Sequence, residues 1–276
     1  MVNLNLSDVQ YFRAWSGELP AGLAEARTLN RSSHNRSVSE RQQTGSNTRH
    51  LASHETETGD ASSKTKLTGT IKEIGIIATV RVPNEQHLPL VALALLEGGI
   101  RVLELAYTTI RSAGSPIQEL KERGLLIGIG AVTRSAQARE ARVFGADFIT
   151  ASVTTPDVVS ACDEMKIPCI LSGLTPTEVW RAHEMAADFV KITAAEALGG
   201  PSYIRSLREA LPALQLVGAD MSLDSYIPYL EAGVDVLEFQ SSLDLARLVE
   251  GGAWAEISRR AAKIVSTCEG WKAKIG

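Results

Sequence analysis

The chain has 276 residues, of which 44% are hydrophobic and 22% charged, and its formal net charge is −4. This length accommodates one large domain or two ordinary ones, and the composition is typical of a globular protein. The slightly negative charge gives no electrostatic reason to expect a nucleic acid or an anionic membrane as partner. No apolar run approaches the length needed to cross a bilayer. We therefore expect neither a nucleic-acid nor a membrane partner.

The cysteines and histidines give no sign of a metal or disulfide framework. The three cysteines form no CxxC pair, which favours a reducing compartment. The five histidines are scattered, and none shares a predicted strand with another metal-ligand type. We predict a cytoplasmic protein without metal or other cofactor, with organelle targeting by the N-terminal segment left open.

Residues 1–68 differ in amino-acid composition from the rest of the chain. Scattered apolar residues in 6–29 predict one or two weak amphipathic helices, and residues from about 30 to 68 are mostly polar. A polar stretch of this kind buries too little apolar surface to offset the entropy lost on ordering. We therefore predict a weakly helical and then disordered extension over 1–68, followed by a single domain over 69–276.

From residue 69 onward, β-rich and helical segments alternate regularly. Glycines follow several of the helical segments, as expected where a helix turns back into a parallel strand. The predicted strands cover 75–82, 101–106, 125–132, 148–153, 169–174, 189–193, 214–218 and 234–239. The predicted helices include 85–97, 135–144, 156–164, 176–186, 200–210 and 222–231. Eight such units in about 200 residues predict an α/β fold, a (β/α)₈ TIM barrel, with an open doubly wound sheet as the alternative.

Lys191 occupies an unusual position in the sixth predicted strand. Phe189, Lys191 and Thr193 share one strand face, because successive side chains alternate between faces. A buried lysine without a partner is costly, and a desolvated lysine loses its proton more easily and becomes a nucleophile. The alternative is a surface lysine, or one whose charged end reaches solvent. The pattern raises the hypothesis of a Schiff-base lysine.

Other polar residues fall at the ends of predicted strands, where TIM barrels place their reacting groups. Glu104 is flanked by apolar neighbours in the second strand and could pair with Lys191 or relay protons for it. The remaining residues at these strand ends are Arg81, Thr133, Ser172 and Gly173. A buried structural Lys–Glu pair is the alternative to a site.

These residues resemble a known family. The motifs at 101–104 (Arg-Val-Leu-Glu), 128–132 (Gly-Ile-Gly-Ala-Val) and 191–200 are similar to those of the pyruvate-forming aldolases. These enzymes cleave 2-keto-3-deoxy-6-phosphogluconate (KDPG) or 4-hydroxy-2-oxoglutarate (KHG). The resemblance runs in register over about 70–265 and implies a class I, Schiff-base lyase. It also implies a homotrimer.

When the functional residues of the family are matched to positions in this sequence, the resemblance implies a role for individual residues. Lys191 would form the Schiff base and Glu104 would be the general acid and base. Arg81 would hold the carboxylate of the pyruvyl half of the substrate through a charge-assisted contact. The other substrate-binding positions that we expect are Thr133, Ser172, Gly173, Gly218 and Ser242.

The sequence departs from the family pattern where the substrate is bound. Ala131 stands where a threonine is usual, so either Thr133 replaces that hydroxyl or the contact is missing. The glycines expected in the loops after strands 7 and 8 are Ala219, Asp220, Gln240 and Ser241. Glycines allow backbone N–H groups to approach phosphate, whereas Asp220 and the nearby Glu238 would repel it. Asp220 could instead be the N-cap of the next helix.

We therefore predict an aldolase for a non-phosphorylated 4-hydroxy-2-oxoacid, such as 4-hydroxy-2-oxoglutarate, that yields pyruvate and an aldehyde. One alternative is a KDPG-type aldolase acting on a phosphorylated sugar acid. Another is a barrel that uses the same Lys–Glu pair for a different carbonyl reaction. A third is a non-catalytic relative that serves as a binding module.

Overall fold

The computed structural model describes residues 61–82, 84–112, 116–223 and 225–275. Eight parallel strands pair in chain order and the eighth pairs with the first, so the sheet closes into a barrel. The strands are β1 Ile76–Val80, β2 Val102–Ala106, β3 Leu126–Val132, β4 Phe148–Ala151, β5 Cys169–Gly173, β6 Phe189–Ile192, β7 Leu216–Ala219 and β8 Val236–Phe239. The predicted (β/α)₈ fold and all eight predicted strands are confirmed, and the open sheet is excluded.

Helices precede and connect the strands. They are α1 Ala61–Ile74, α2 Leu88–Glu97, α3 Tyr107–Ser112, α4 Ile117–Glu122, α5 Ser135–Val143, α6 Pro156–Glu164, α7 Pro176–Glu184, α8 Pro201–Ala210, α9 Tyr226–Glu231, α10 Leu245–Glu250 and α11 Trp254–Ile275. Short 3₁₀ turns cover Glu85–His87, Ala195–Leu198 and Ser241–Leu243. Two of the predicted turn glycines, Gly99 and Gly145, have φ of +91° and +100°, the left-handed conformation that these chain reversals require.

The inside of the barrel has an apolar layer beneath a polar one. A cluster of fully or nearly fully buried apolar side chains fills the lower layer, and alternation along the strands places polar residues two positions further on. The cluster consists of Ile71, Ile77, Val102, Phe148, Ile170, Phe189, Val217 and Val236. The polar positions two residues later are Thr79, Glu104, Thr150, Ser172, Lys191 and Glu238. The apolar layer closes the bottom of the barrel, and polar chemistry is confined to the C-terminal ends of the strands.

The boundary of the N-terminal extension needs a correction. Helix α1 begins at Ala61, so residues 61–68, predicted as linker, belong to an ordered helix. Lys64 in this helix forms ion pairs with Asp163 at 2.6 Å and Asp188 at 3.0 Å. Polar composition predicted disorder, but here a charged side chain meets carboxylates from elsewhere in the barrel. The rest of the predicted extension, 1–60, lies outside the described residues.

Candidate active site

Lys191 points into the barrel from β6 and contacts two carboxylates. Its Nζ donates hydrogen bonds to Glu104 Oε2 at 3.3 Å and to Glu238 Oε1 at 3.0 Å. The relative exposures of Lys191, Glu104 and Glu238 are 8%, 4% and 2%. The structure therefore brings together the predicted pair and adds a second acid from β8.

The protonation of Lys191 differs from the sequence-based expectation. Burial is the largest influence and lowers the pKa of Lys191, but the Glu104 and Glu238 carboxylates together outweigh it and raise the pKa above its ordinary value. Desolvation alone, which we expected to free the amine, is thus opposed by two carboxylates. The side chain rests as an ammonium and must lose a proton before it can act as a nucleophile.

Glu238, one of the two acids that contact Lys191, has an unusual pKa. Burial and then the neighbouring charge of Glu104 raise the pKa of Glu238 to about 7, against the opposing influence of Lys191. A hydrogen bond of 2.8 Å from Thr79 Oγ1 to Glu238 Oε1 also favours the ionised form. Glu238 is therefore poised to exchange a proton near neutral pH.

The glycines of β3 make room for these groups. A Cβ placed on Gly130 would lie 2.1 Å from Glu104 Oε1, and one on Gly128 would lie 2.1 Å from the ring of Phe148. No real Cβ tolerates such a distance, so the neighbouring side chains would have to move. The Gly-Ile-Gly pattern of the sequence is thus required by the packing inside the barrel.

Gly130→Ala is expected to lower the free energy of unfolding by about 1–3 kcal/mol, because the new methyl group must displace Glu104. Gly69→Ala is the matched control, since no atom lies within 4 Å of its added Cβ in helix α1. Urea unfolding of both variants checks the prediction. An equally stable Gly130→Ala protein would show that Glu104 can relocate at no cost.

Lys191, Glu104 and Glu238 line a cavity of about 190 Å³. Arg81, at the end of β1, and Ser172, in β5, line it together with Lys191. Ser172 is the strand neighbour of Lys191, and its Oγ donates to the carbonyl of Ala151 at 2.8 Å. The cavity thus has a cationic residue, Arg81, and Lys191 among the residues that line it.

Four predicted substrate-binding residues, Thr133, Gly173, Gly218 and Ser242, do not line this cavity. Thr133 is exposed, and its N–H and Oγ1 bind Gln137 Oε1 at 2.8 and 3.1 Å, at the start of α5. Gly173 allows α7 to approach, because an added Cβ would lie 3.0 Å from the Val179 nitrogen. Gly218 likewise faces Val234, at 3.2 Å from an added Cβ. Ala131, which lines the cavity, brings no hydroxyl there.

The loops after β7 and β8 are joined by Asp220. Its Oδ1 accepts the Ser241 N–H at 2.9 Å and its Oδ2 accepts the Ser241 hydroxyl at 3.1 Å. Asp220 is not the N-cap of the next helix, because α9 begins at Tyr226 after Ser225. With Ser242, Asp220 lines an adjoining pocket of about 490 Å³ that no lysine or arginine of the described chain enters.

Glu238 and Thr79 are the site residues that the sequence analysis missed. Both follow apolar residues of the inner face, Ile77 in β1 and Val236 in β8, at a spacing of two. That alternation, which selected Lys191 and Glu104, also carried the signal for these two. The sequence pattern places Glu238 near the phosphate loop, whereas its side chain contacts Lys191.

Neither a metal-binding cluster nor a membrane-spanning helix is found among the residues that the structure describes. Within 61–82, 84–112, 116–223 and 225–275, no group of three or more His, Cys, Asp and Glu side chains is arranged to hold a metal ion. The helices in those ranges include none that combines the length and apolarity needed to cross a membrane.

Comparison with known proteins agrees with this geometry. The family model "KDPG and KHG aldolase" matches residues 67–260. A 2-dehydro-3-deoxy-phosphogluconate aldolase of Treponema pallidum is 32% identical over 149 residues, 53% of this chain and 69% of that protein. The enzyme of the same name from Haemophilus influenzae is 25% identical over 198 residues, 71% of this chain and 93% of its own.

Solved structures share the fold. The crystal structure of a Legionella pneumophila KDPG aldolase, with pyruvate captured as a covalent carbinolamine, has a TM-score of 0.65 at 21% identity. It covers 71% of this chain and 96% of that one. Because the family model spans most of the barrel, the chain belongs to the family of class I KDPG and KHG aldolases.

Proposed function

We propose that this protein cleaves a non-phosphorylated 4-hydroxy-2-oxoacid, such as 4-hydroxy-2-oxoglutarate, to pyruvate and an aldehyde. The observation that carries the aldolase chemistry is the contact of Lys191 with Glu104, 3.3 Å apart, at a cavity that Arg81 also lines. The guanidinium suits the substrate carboxylate, and the amine suits the 2-keto carbon next to it.

The reaction then follows from these groups. Lys191, once deprotonated, attacks the keto carbon and forms an iminium with loss of water. The iminium accepts the electron pair of the bond between C3 and C4 while Glu104 takes the proton of the C4 hydroxyl. An aldehyde leaves, and the remaining enamine is protonated and hydrolysed to pyruvate.

The preference for an unphosphorylated substrate rests on Asp220. TIM barrels commonly bind phosphate with the loops after strands 7 and 8, where free N–H groups point at the ligand. Here the Ser241 N–H is already bound to the Asp220 carboxylate, at 2.9 Å. A phosphate dianion would have to displace one negative group and then lie beside it. The hydroxyl groups of an uncharged or singly charged substrate tail meet a smaller penalty.

A substrate panel tests this preference. We expect kcat/KM for 4-hydroxy-2-oxoglutarate or for unphosphorylated 2-keto-3-deoxygluconate to exceed that for KDPG by about 10-fold or more, the effect of roughly 1.4 kcal/mol of repulsion. Asp220→Gly should raise kcat/KM for KDPG selectively, because it frees the Ser241 N–H and glycine accepts the φ of +62° found there.

Asp244→Gly is the matched control for this variant. Asp244 also has a positive φ, of +55°, but its carboxylate pairs with Arg247 outside the cavity. Equal kcat/KM on phosphorylated and unphosphorylated substrates would contradict the preference. Absence of a borohydride-trapped pyruvyl adduct in the folded wild-type protein would instead favour the non-catalytic binding module. The predicted homotrimer stays a prediction.

A further inference from the structure

Glu238 of β8 contacts Lys191 more closely than Glu104 does. Its Oε1 accepts hydrogen bonds from Thr79 Oγ1 at 2.8 Å and from Lys191 Nζ at 3.0 Å. Its Oε2 also lies 3.0 Å from Nζ, but accepts no hydrogen bond from the described residues. One carboxylate oxygen is thus fixed in place, and the other has a free lone pair beside the amine.

The charges around Glu238 do not require it as a counterion. Glu104, from β2, already supplies one carboxylate to the single ammonium of Lys191. The other charged groups that line the same cavity are Arg81, after β1, and Asp220, after β7. A second buried carboxylate beside the first adds like-charge repulsion and a further desolvation cost. A structural ion pair with Lys191 therefore needs only one of the two acids.

The chemistry, by contrast, calls for a proton acceptor at two separate steps. The resting ammonium must first lose a proton, because only the neutral amine attacks a carbonyl. Later, the C4 hydroxyl must lose a proton when the carbon–carbon bond breaks. Glu238 suits the first transfer because its proton affinity lies closer to that of the amine than an ordinary carboxylate's does. Glu104 is then left to act in the second.

We propose that Glu238 is a catalytic base that takes the proton from the Lys191 ammonium and returns it to the departing water, while Glu104 makes the other proton transfers to and from the substrate oxygens. The assignment rests on the proposed aldolase function. Two acids then share the proton transfers that the family resemblance implies for Glu104 alone.

This scheme conserves protons at every step. One proton passes from the Lys191 ammonium to Glu238, and the neutral amine forms a bond to the keto carbon as the carbonyl π electrons move to oxygen. A second proton passes from nitrogen to that oxygen through Glu104, which gives the carbinolamine. Glu238 returns its proton to the hydroxyl, the carbon–oxygen bond breaks, and water leaves. The ammonium and ketone have become an iminium and water, with no net uptake or release of protons.

The test is the rate of pyruvyl-adduct formation, measured by mass after borohydride quenching at a series of pH values. In the wild type the rate should rise through about pH 7, as Glu238 loses its own proton and becomes able to accept one. Glu238→Gln should slow the step by about 100-fold and abolish that rise, because the amide cannot accept the proton. Glu238→Asp should recover part of the rate.

Glu104→Gln is the matched variant on the other side of Lys191. It should form the adduct within about 10-fold of the wild-type rate, but lose retro-aldol turnover by about 10²–10⁴-fold. Thr79→Val keeps Glu238 but removes the hydrogen bond that favours its ionised form, so the rise should move to higher pH. This variant gives a readout even if Glu238→Gln fails to fold.

The outcomes distinguish a failure of the proposed aldolase function from a failure of the proposed role of Glu238. If the wild-type protein forms no adduct, the proposed aldolase function fails. If it forms the adduct and Glu238→Gln does so with the wild-type rate and pH profile, the function stands and the role of Glu238 is overturned. A slow adduct in Glu104→Gln with a normal one in Glu238→Gln would exchange the two roles and overturn the assignment as well.

Discussion

Replacing Lys191 with methionine is expected to abolish the borohydride-trapped pyruvyl adduct and to lower turnover by about 10⁴-fold or more, the usual scale for loss of a nucleophile. The reason is that no other amine of the described chain lines the Lys191 cavity. Mass measurement after incubation with pyruvate, together with retro-aldol kinetics, checks this result. A persistent adduct would place the Schiff base on a different residue.

Lys191→Arg is the control that separates the nucleophile from its charge. Methionine leaves Glu104 and Glu238 buried without their cation, so lost activity alone could reflect a rearranged site. Arginine keeps a positive charge beside both acids but stays protonated at accessible pH, and so cannot attack a carbonyl. We expect both variants to be inactive and the arginine protein to be the more stable. Substantial turnover by Lys191→Arg would argue against covalent catalysis.

The fold could be predicted from the sequence because its signals are local. Each strand is a short β-rich run, and several helices are followed by a residue of positive φ, such as Gly99 or Gly145, that can turn the chain. Eight repeats of this unit leave few ways to close a parallel sheet. Polar composition gave the wrong state for 61–68, because the partners of Lys64 are 99 and 124 residues away in sequence.

The inner face of the barrel was predictable, whereas the loops were not. Strand alternation placed Lys191 and Glu104 inside, and the same alternation places Glu238 there. Backbone conformation decides these positions: Ala131, near the end of β3, and Asp220, after β7, have φ of +59° and +62°, a region in which sequence gives little guidance for residues other than glycine. Thr133 follows the cavity-lining Ala131 by two residues, but its N–H donates to Gln137 Oε1 and the residue does not line the cavity.

The protonation state could not be predicted because it depends on long-range pairing. Burial of Lys191 by itself argued for a neutral amine, and the sequence held no direct sign that two acids would meet one lysine. Glu104 and Glu238 come from strands on either side of β1, so only closure of the barrel brings both to Lys191. The site therefore favours the ammonium form of Lys191, and the proposed Schiff-base chemistry requires a route for removing a proton.

Glu238→Gln is expected to become more stable relative to the wild type, by about 3 kcal/mol, as the pH rises from 4 to 8. The folded protein raises the pKa of Glu238 from 4.5 to about 7, so between these values it holds a proton that the unfolded chain has released. The stability that this acid contributes is therefore complete below pH 4.5 and is lost as the pH passes 7. Glutamine has no such dependence.

Urea unfolding of both proteins across this pH range isolates the effect, because other titrating groups largely cancel in the difference. The raised pKa of Lys191 acts only above 10.5 and so outside the range. Glu231→Gln, which changes an exposed glutamate at the end of α9, should keep the wild-type pH dependence. Parallel stability curves for the wild type and Glu238→Gln would mean that Glu238 is ionised throughout, held so by Lys191. The rate of adduct formation would then show no rise through pH 7 that depends on Glu238.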